Sequence, residues 1–261
     1  MMDVTPAFLN EQASPSRFAE RMFKQTGTVY RELENRQTLC FELNKHHYFI
    51  KKHFGIGLKE YLKNIFQFKK PVLGARNEYE AIKKLGALGV ATPVFQAFYQ
   101  KGIIPFRQHS FIITKALTDS MSLETALNEN NQAVFQHKRT IIKSMANSIR
   151  LMHGAGTNHR DCYLCHFLLD MTRLKQGDIK LAVIDLHRAQ IRKNLPIRWQ
   201  IKDLAGLYFS SIHHTVSKRD RFRFLKHYFQ RPLRDIIKQH GNMLKAVEQK
   251  ALLLHKKHQE N

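Results

Sequence analysis

His159-Arg160-Asp161, followed by Ile184-Asp185 at the end of an apolar run, sets two isolated aspartates in an order that suits metal-assisted phosphoryl transfer from a nucleotide. An aspartate in a tight loop can take the proton of an acceptor hydroxyl. One that closes a buried strand can hold the Mg²⁺ that bridges the nucleotide phosphates. Neither short motif carries much alone, because Arg-Asp pairs are frequent in a chain with 43 lysines and arginines. The weight lies in their order along the chain: helix, tight turn, His-Arg-Asp, short strand, turn, strand, Asp.

The elements that must position Asp161 and Asp185 are legible around them. From Gln132, apolar Val134, Ile141, Ile142, Met145, Ile149 and Met152 recur at helical spacing until Gly154 and Gly156 stop the run, which predicts one buried helix leading into the loop. After the loop, His166-Phe167-Leu168-Leu169 reads as a short strand, Arg173 to Asp178 as a polar hairpin turn, and Lys180 to Ile184 as the partner strand. That hairpin would hold both aspartates in one cleft.

Upstream, Val29 to Leu33, Thr38 to Leu43 and His47 to Lys52 alternate as strands of a small antiparallel sheet, with Asn44 and Lys45 at a turn. Lys51 ends a Tyr-Phe-Ile-Lys run and is the candidate for the phosphates of a nucleotide. Glu78, at the start of a helical stretch from Glu78 to Leu88, is its candidate partner. Lys52 is an alternative to Lys51, and Glu80 faces elsewhere on the helix. Residues 31–37 contain no glycine, so Arg31, Arg36 or Gln37 would have to cover the phosphates in place of a backbone cradle.

With 261 residues, 43% of them hydrophobic, the chain can bury the core of one large domain or two lobes. Its 43 Lys and Arg against 21 Asp and Glu give a formal charge of +22, which favours anionic partners without choosing among nucleotide, nucleic acid, phosphorylated lipid and membrane surface. No apolar stretch approaches the roughly 18 residues of a transmembrane helix, and the N-terminus has no basic start followed by an apolar core. A cytoplasmic protein is expected. The three cysteines make no disulfide framework. Cys162-Tyr163-Leu164-Cys165-His166 matches the spacing of c-type haem attachment, and with His159 it has the ligand types of a zinc site. Haem attachment would require export, and a structural zinc finger would need a second ligand pair. Packing of both thiols as small hydrophobes is the favoured reading.

His-Arg-Asp-Cys-Tyr-Leu-Cys-His-Phe-Leu-Leu from 159, Val-Ile-Asp-Leu-His-Arg-Ala-Gln from 183 and Lys-Asp-Leu-Ala-Gly-Leu-Tyr-Phe-Ser-Ser from 202 resemble the lipopolysaccharide core heptose(I) kinases, the WaaP (RfaP) family. Val-Tyr-Arg-Glu-Leu-Glu near 29, Pro-Val-Leu-Gly-Ala-Arg near 71 and Ser-Phe-Ile-Ile-Thr near 110 extend the resemblance over nearly the whole chain. It implies an α+β, bilobal, protein-kinase-like fold: residues 1–26 an unassigned extension, 27–117 an antiparallel-sheet N-lobe, and 118–261 a mainly helical C-lobe with the catalytic loop. It further implies transfer of the γ-phosphate of ATP, with Mg²⁺, onto the first heptose of the lipopolysaccharide inner core. Asp161 would be the base, Asp185 a metal ligand, and Lys51 with Glu78 the phosphate grip. His166 stands where protein kinases usually carry the Asn that binds a second metal, and an imidazole is a poorer Mg²⁺ ligand than an oxygen. Asp203 resembles the helical aspartate that ties down the His-Arg-Asp backbone. Asp185-Leu186-His187 lacks the glycine of Asp-Phe-Gly, which argues against a flipping switch.

The short basic stretch from His187 to Lys193 leaves little room for a peptide-docking loop and suits a sugar acceptor. Arg188, Arg192, Lys193 and Arg198 are candidates to hold its phosphates or carboxylates. Two amphipathic stretches, Leu58 to Phe66 and Ser217 to Phe229, could give salt-sensitive contact with the inner membrane or simply pack on the core. A small acidic carrier protein is also compatible with the charge. The alternatives are a kinase of the same fold acting on Kdo or a protein residue and, from a different class, a basic nucleic-acid-binding protein. The latter is disfavoured because it leaves Asp161 and Asp185 without a role.

Overall fold

A computed structural model describes residues 1–6, 8, 14–55, 74–102, 104 and 107–260. The amphipathic stretch from Leu58 to Phe66, with the basic residues after it, lies outside the described residues. The chain divides into two compact units, one of residues 1–83 with 93–116, the other of residues 84–92 with 117–261.

Alternating apolar residues make the first unit an antiparallel sheet. Strands β1 (Met2–Val4), β2 (Thr28–Leu33), β3 (Arg36–Leu43), β4 (His46–His53), β5 (Phe95–Lys101) and β6 (His109–Lys115) stand in the order β1-β5-β6-β4-β3-β2. Asn44 and Lys45 both adopt positive φ, 51° and 62°, as a two-residue hairpin between right-twisted strands requires. Helix α1 (Pro15–Lys24) starts where the Ser14 hydroxyl accepts the Arg17 N–H. It lays Phe18, Ala19 and Met22 over Leu39, Phe41, Ile50, Phe111 and Ile113. The described part of the first 26 residues is therefore a sheet strand and a packed helix.

Strand β1 also anchors helix α2 (Arg76–Ala87). The Tyr79 hydroxyl donates to Asp3 at 2.8 Å, and Lys83 lies 3.1 Å from the same carboxylate. Burial and the Asp3 charge push the Tyr79 phenol up to about 12.

In the second unit the expected helix from Gln132 is two helices. Asn131 caps α4 (Gln132–Gln136), the chain bends at His137, and α5 (Lys138–Gly154) follows; α3 (Leu123–Asn128) precedes them. Periodicity of apolar residues cannot register such a bend, because the same face stays buried on both sides of it. Next come β8 (Thr157–Asn158), β9 (Phe167–Asp170), α6 (Met171–Lys175), β10 (Leu181–Val183) and β11 (Gln190–Ile191). The polar segment read as a hairpin turn begins inside helix α6, which ends at Lys175, and turns at Gln176 and Gly177. The Asp170 side chain accepts the Arg173 N–H and so caps that short helix. Strand β9 pairs with β10, Leu169 opposite Leu181 and Phe167 opposite Val183, and on its other edge with β7 (Ser120–Ser122). Strands β8 and β11 pair separately. Helices α7 (Ile197–Ser211), α8 (Lys218–Phe229) and α9 (Leu233–Gln259) complete the unit. No helix among the described residues is long and apolar enough to cross a membrane.

Candidate active site

The period of two along β4 separates its neighbouring lysines. Tyr48, Ile50 and Lys52 share the face under α1, and there the Lys52 ammonium donates to the carbonyls of Phe23 (2.9 Å) and Gln25 (2.6 Å). Burial pushes its pKa down. Lys52 is thus a tie for the C-terminal end of α1 and points away from Lys51. Lys51, on the opposite face, meets Glu78 of α2 at 2.7 Å, with the Glu78 side chain only 4% exposed. Glu80 is exposed and pairs instead with Arg76.

In the second unit the catalytic-loop candidates are held from beneath by Asp203 of α7, which is fully buried. Its carboxylate accepts the backbone N–H of His159 at 2.7 Å and of Arg160 at 2.8 Å. It also accepts Nε2–H of His153 at 3.2 Å, while His153 Nδ1 meets the Tyr228 hydroxyl at 2.7 Å. These contacts stabilise Arg160 at φ 75°, a left-handed conformation uncommon outside glycine. Two glycines let neighbouring backbone close on the loop. A Cβ at Gly156 would meet the Arg192 carbonyl at 2.0 Å, and one at Gly206 of α7 would meet the Cys162 carbonyl at 2.9 Å.

Inside that frame Asp161 and Asp185 are reached by different cations and imidazoles. The Arg188 guanidinium donates to both Asp161 oxygens, at 2.8 and 3.1 Å. Asp185 adopts φ 58° and accepts Nδ1–H of His187 at 2.6 Å. The His159 ring is kept neutral by burial and donates Nε2–H to the Ile184 carbonyl at 2.9 Å, linking the loop to the residue before Asp185. His166 stacks on it, ring centres 5.5 Å apart.

His166 donates Nδ1–H to the Asp161 carbonyl at 2.6 Å, which leaves the Nε2 lone pair 3.7 Å from Asp185 Oδ2. An imidazole with one nitrogen donating to a carbonyl and the other facing a carboxylate is arranged as metal-binding histidines usually are. No group of three or more such side chains is gathered among the described residues. Of the two, the Asp185 carboxylate is the oxygen donor that Mg²⁺ prefers. Burial raises the pKa of both loop thiols, Cys162 well above the usual range and Cys165 to about 11.

Of the basic candidates, Arg188 is on Asp161, and Arg192 donates to Asn158 at 2.7 Å and to Gln190. Arg192 and Arg198 also lie over the Trp199 ring, at 5.1 and 5.4 Å from its centre. The stretch from Ser217 to Phe229 is α8, opened by the expected Ser217 and Asp220 capping box. Its Leu225 lines an apolar cavity of about 530 Å³ with Ile141, Met145, Leu207 and Val247, so part of that stripe faces the interior.

Sequence reasoning brought out Asp161, Asp185, His166, Lys51, Glu78 and Asp203, and it missed the Arg188 clamp, His187 on Asp185, Tyr228 behind His153, and the cavity. Spacing gave no signal for these, because each depends on which helix faces which loop.

The family model described as lipopolysaccharide kinase (Kdo/WaaP) matches residues 20–228. The chain is 48% identical to the lipopolysaccharide core heptose(I) kinase WaaP of Escherichia coli over 228 residues, 86% of each chain. It is 45% identical to the WaaP of Pseudomonas aeruginosa, over 89% of this chain and 88% of that one. A solved structure of WaaP in complex with acyl carrier protein matches with a TM-score of 0.82 and 39% identity, covering 98% of this chain and 99% of that one.

Proposed function

Because the chain belongs to the lipopolysaccharide kinase (Kdo/WaaP) family, we propose that it transfers the γ-phosphoryl group of ATP to the first heptose of the lipopolysaccharide inner core. The fold is protein-kinase-like, α+β, with an antiparallel-sheet unit and a mainly helical one. The observation that carries the reading is the Asp161 loop, tied through two backbone N–H groups to buried Asp203 and joined by His159 to the backbone beside Asp185. Such a loop holds the aspartate backbone still, with the carboxylate on Arg188.

Asp161 orients the heptose hydroxyl and takes its proton as the new O–P bond forms and the bond from the γ-phosphorus to the bridging oxygen breaks, ADP leaving with the electron pair. Lys51, fixed by Glu78, neutralises phosphate charge. Asp185 and His166 Nε2 would hold Mg²⁺, which when bound supplies charge neutralisation at the phosphates. Arg188 keeps a positive charge beside Asp161 and holds its carboxylate in place. Most of the rate enhancement in such a site comes from positioning and electrostatics.

A second protein takes part in this reading. The related WaaP was solved with an acyl carrier protein, and the apolar cavity between α5, α7, α8 and α9 suits an alkyl chain. A charge of +22 suits an acidic carrier or an anionic inner-membrane surface on its cytoplasmic face.

The test is transfer of label from γ-labelled ATP, with Mg²⁺, to lipopolysaccharide core lacking heptose phosphate, wild type beside Asp161→Ala. Label on the heptose with wild type alone is expected. Unlabelled heptose with folded protein and authenticated acceptor overturns the heptose assignment, and label on Kdo moves the acceptor to the neighbouring sugar.

A further inference from the structure

Four cations converge on one indole. The guanidinium carbons of Arg160, Arg192 and Arg198 lie 5.8, 5.1 and 5.4 Å from the centre of the Trp199 ring, and the Lys202 ammonium 5.8 Å from it. They come from three segments: the Asp161 loop, the chain after β11, and the first turns of α7. An exposed basic rim would let such groups spread into water. Here Arg160, Arg192 and Lys202 are only partly exposed, and burial together with the nearby arginines lowers the pKa of each. Like charges gathered at partly buried positions repel one another, and an anion among them relieves that cost.

The carboxylates within reach are already engaged. Asp203 is occupied by the loop N–H groups and His153, and Asp161 by Arg188. Two donors of the cluster, Arg160 Nε and Trp199 Nε1, are buried and have no hydrogen-bond partner among the described residues. Buried donors left in this way cost free energy that a ligand's oxygens would recover. Arg160 is moreover held in its left-handed conformation by Asp203, so the cluster is built on a backbone that the fold constrains. Guanidinium groups and an indole N–H are donors suited to carboxylate or phosphate oxygens. Arg188 reaches Asp161 from the same neighbourhood, and its charge lowers the pKa of both Arg160 and Lys202. An anion at the cluster would therefore lie beside the group that handles the acceptor hydroxyl.

We propose that Arg160, Arg192, Arg198 and Lys202, gathered around Trp199, form a subsite for an anionic group of the acceptor, a carboxylate or phosphate borne next to the sugar that is phosphorylated. The proposal rests on the transfer reading above for the identity of the acceptor. It does not need turnover for its test.

Trp199 is the only tryptophan of the chain, so its fluorescence reports on the cluster directly. The probe is inner-core oligosaccharide lacking heptose phosphate and freed of its acyl chains, titrated into the full protein without ATP. Saturable change in emission is expected, with the dissociation constant raised about tenfold in Lys202→Met and in exposed Arg198→Ala, the loss of one charge-assisted contact each. Oligosaccharide with its acid-sugar carboxyls reduced and oligosaccharide stripped of lipid-anchor phosphates identify the source: the form that binds more weakly, and no longer distinguishes variant from wild type, lacks the recognised group. In turnover, the same variants raise the KM for acceptor far more than the KM for ATP.

Binding by folded variants indistinguishable from wild type, or parent and both modified oligosaccharides binding alike, overturns the subsite. A saturable Trp199 response that the variants weaken, without transfer to heptose, retains the subsite and removes the transfer reading. Normal transfer with wild-type acceptor KM in both variants does the reverse.

Discussion

Lys51 with Glu78 and Arg188 with Asp161 are ion pairs of nearly equal length, 2.7 and 2.8 Å, yet they are built in opposite ways. The first joins a regular strand to a regular helix, with its glutamate almost wholly buried. Hydrogen-bond ladders and sheet packing decide where both side chains go. The second joins two irregular segments, next to residues 160 and 185 at positive φ, and its arginine is 39% exposed. Its geometry depends on Asp203, which makes no contact with either partner's charged group and holds only the backbone of the loop. In the proposed mechanism the phosphate grip is thus supplied by secondary structure, whereas the proposed base sits on backbone held in place by a separate buried group.

The strongest way to break this contrast is at Asp203. Asp203→Ala leaves two backbone N–H groups and His153 without their acceptor, and it should cost roughly 3–5 kcal/mol of stability. Urea unfolding measures it; a loss below about 1 kcal/mol would mean that the loop does not depend on the buried carboxylate. Next in size, Asp161→Ala should lower turnover on the order of 10²-fold or more while ATP binding persists, a general-base effect. Calorimetric ATP titration beside a turnover assay separates the two, and parallel loss of both would make Asp161 part of the nucleotide site.

The two lysines of β4 sharpen the comparison within one strand. Lys51→Met should raise the KM for ATP about tenfold or more through loss of a charged contact. Lys52→Met should leave that KM unchanged and cost about 1–2 kcal/mol of stability, because it strands the Phe23 and Gln25 carbonyls. Exchange of those two phenotypes would reverse the assignment made from strand period.

The effect furthest from the chemistry is expected at Asp220. Burial would raise its carboxyl, but hydrogen bonds from Lys138, the Ser217 hydroxyl and the Ser217 N–H, with the Lys138 charge, hold it at about 2 against the ordinary 3.8. A depressed folded pKa gives stability that is fully present above about 3.8 and lost as pH falls through about 2. The amount is about 2 kcal/mol. Asp220→Asn should remove it at neutral pH and unfold like wild type at the acid limit. A constant difference at every pH would assign the effect to packing.

Much of the site was legible because strand and helix periods are local. Residues 47–52 show by alternation alone that Lys51 and Lys52 point apart, and Leu204 with Leu207 mark α7 as a buried helix that could carry Asp203. Less was legible wherever one side chain redirects the backbone. Asp170 set the short helix α6 before the turn at Gln176 and Gly177, and the bend at His137 split a helix whose apolar period runs on through it. The role of the N-terminus was also hidden, since a three-residue strand such as β1 gains its meaning from Tyr79 and Lys83, more than seventy residues away.

The amino-acid order by itself determined the strand and helix periods, the two aspartates on either side of a short hairpin, two neighbouring strand lysines with a helical glutamate, and a charge that favours anionic partners. Only the tertiary structure decided that Arg188 lies on Asp161, that His166 turns its free nitrogen toward Asp185, and that four cations surround Trp199. The physical reason is range. Hydrogen-bond ladders and apolar periodicity act between residues a few positions apart and can be read along the chain. The meeting of charges carried by separate loops is set by the buried ties at Asp203 and by close backbone contacts at Gly156 and Gly206, which exist only once the second unit has packed.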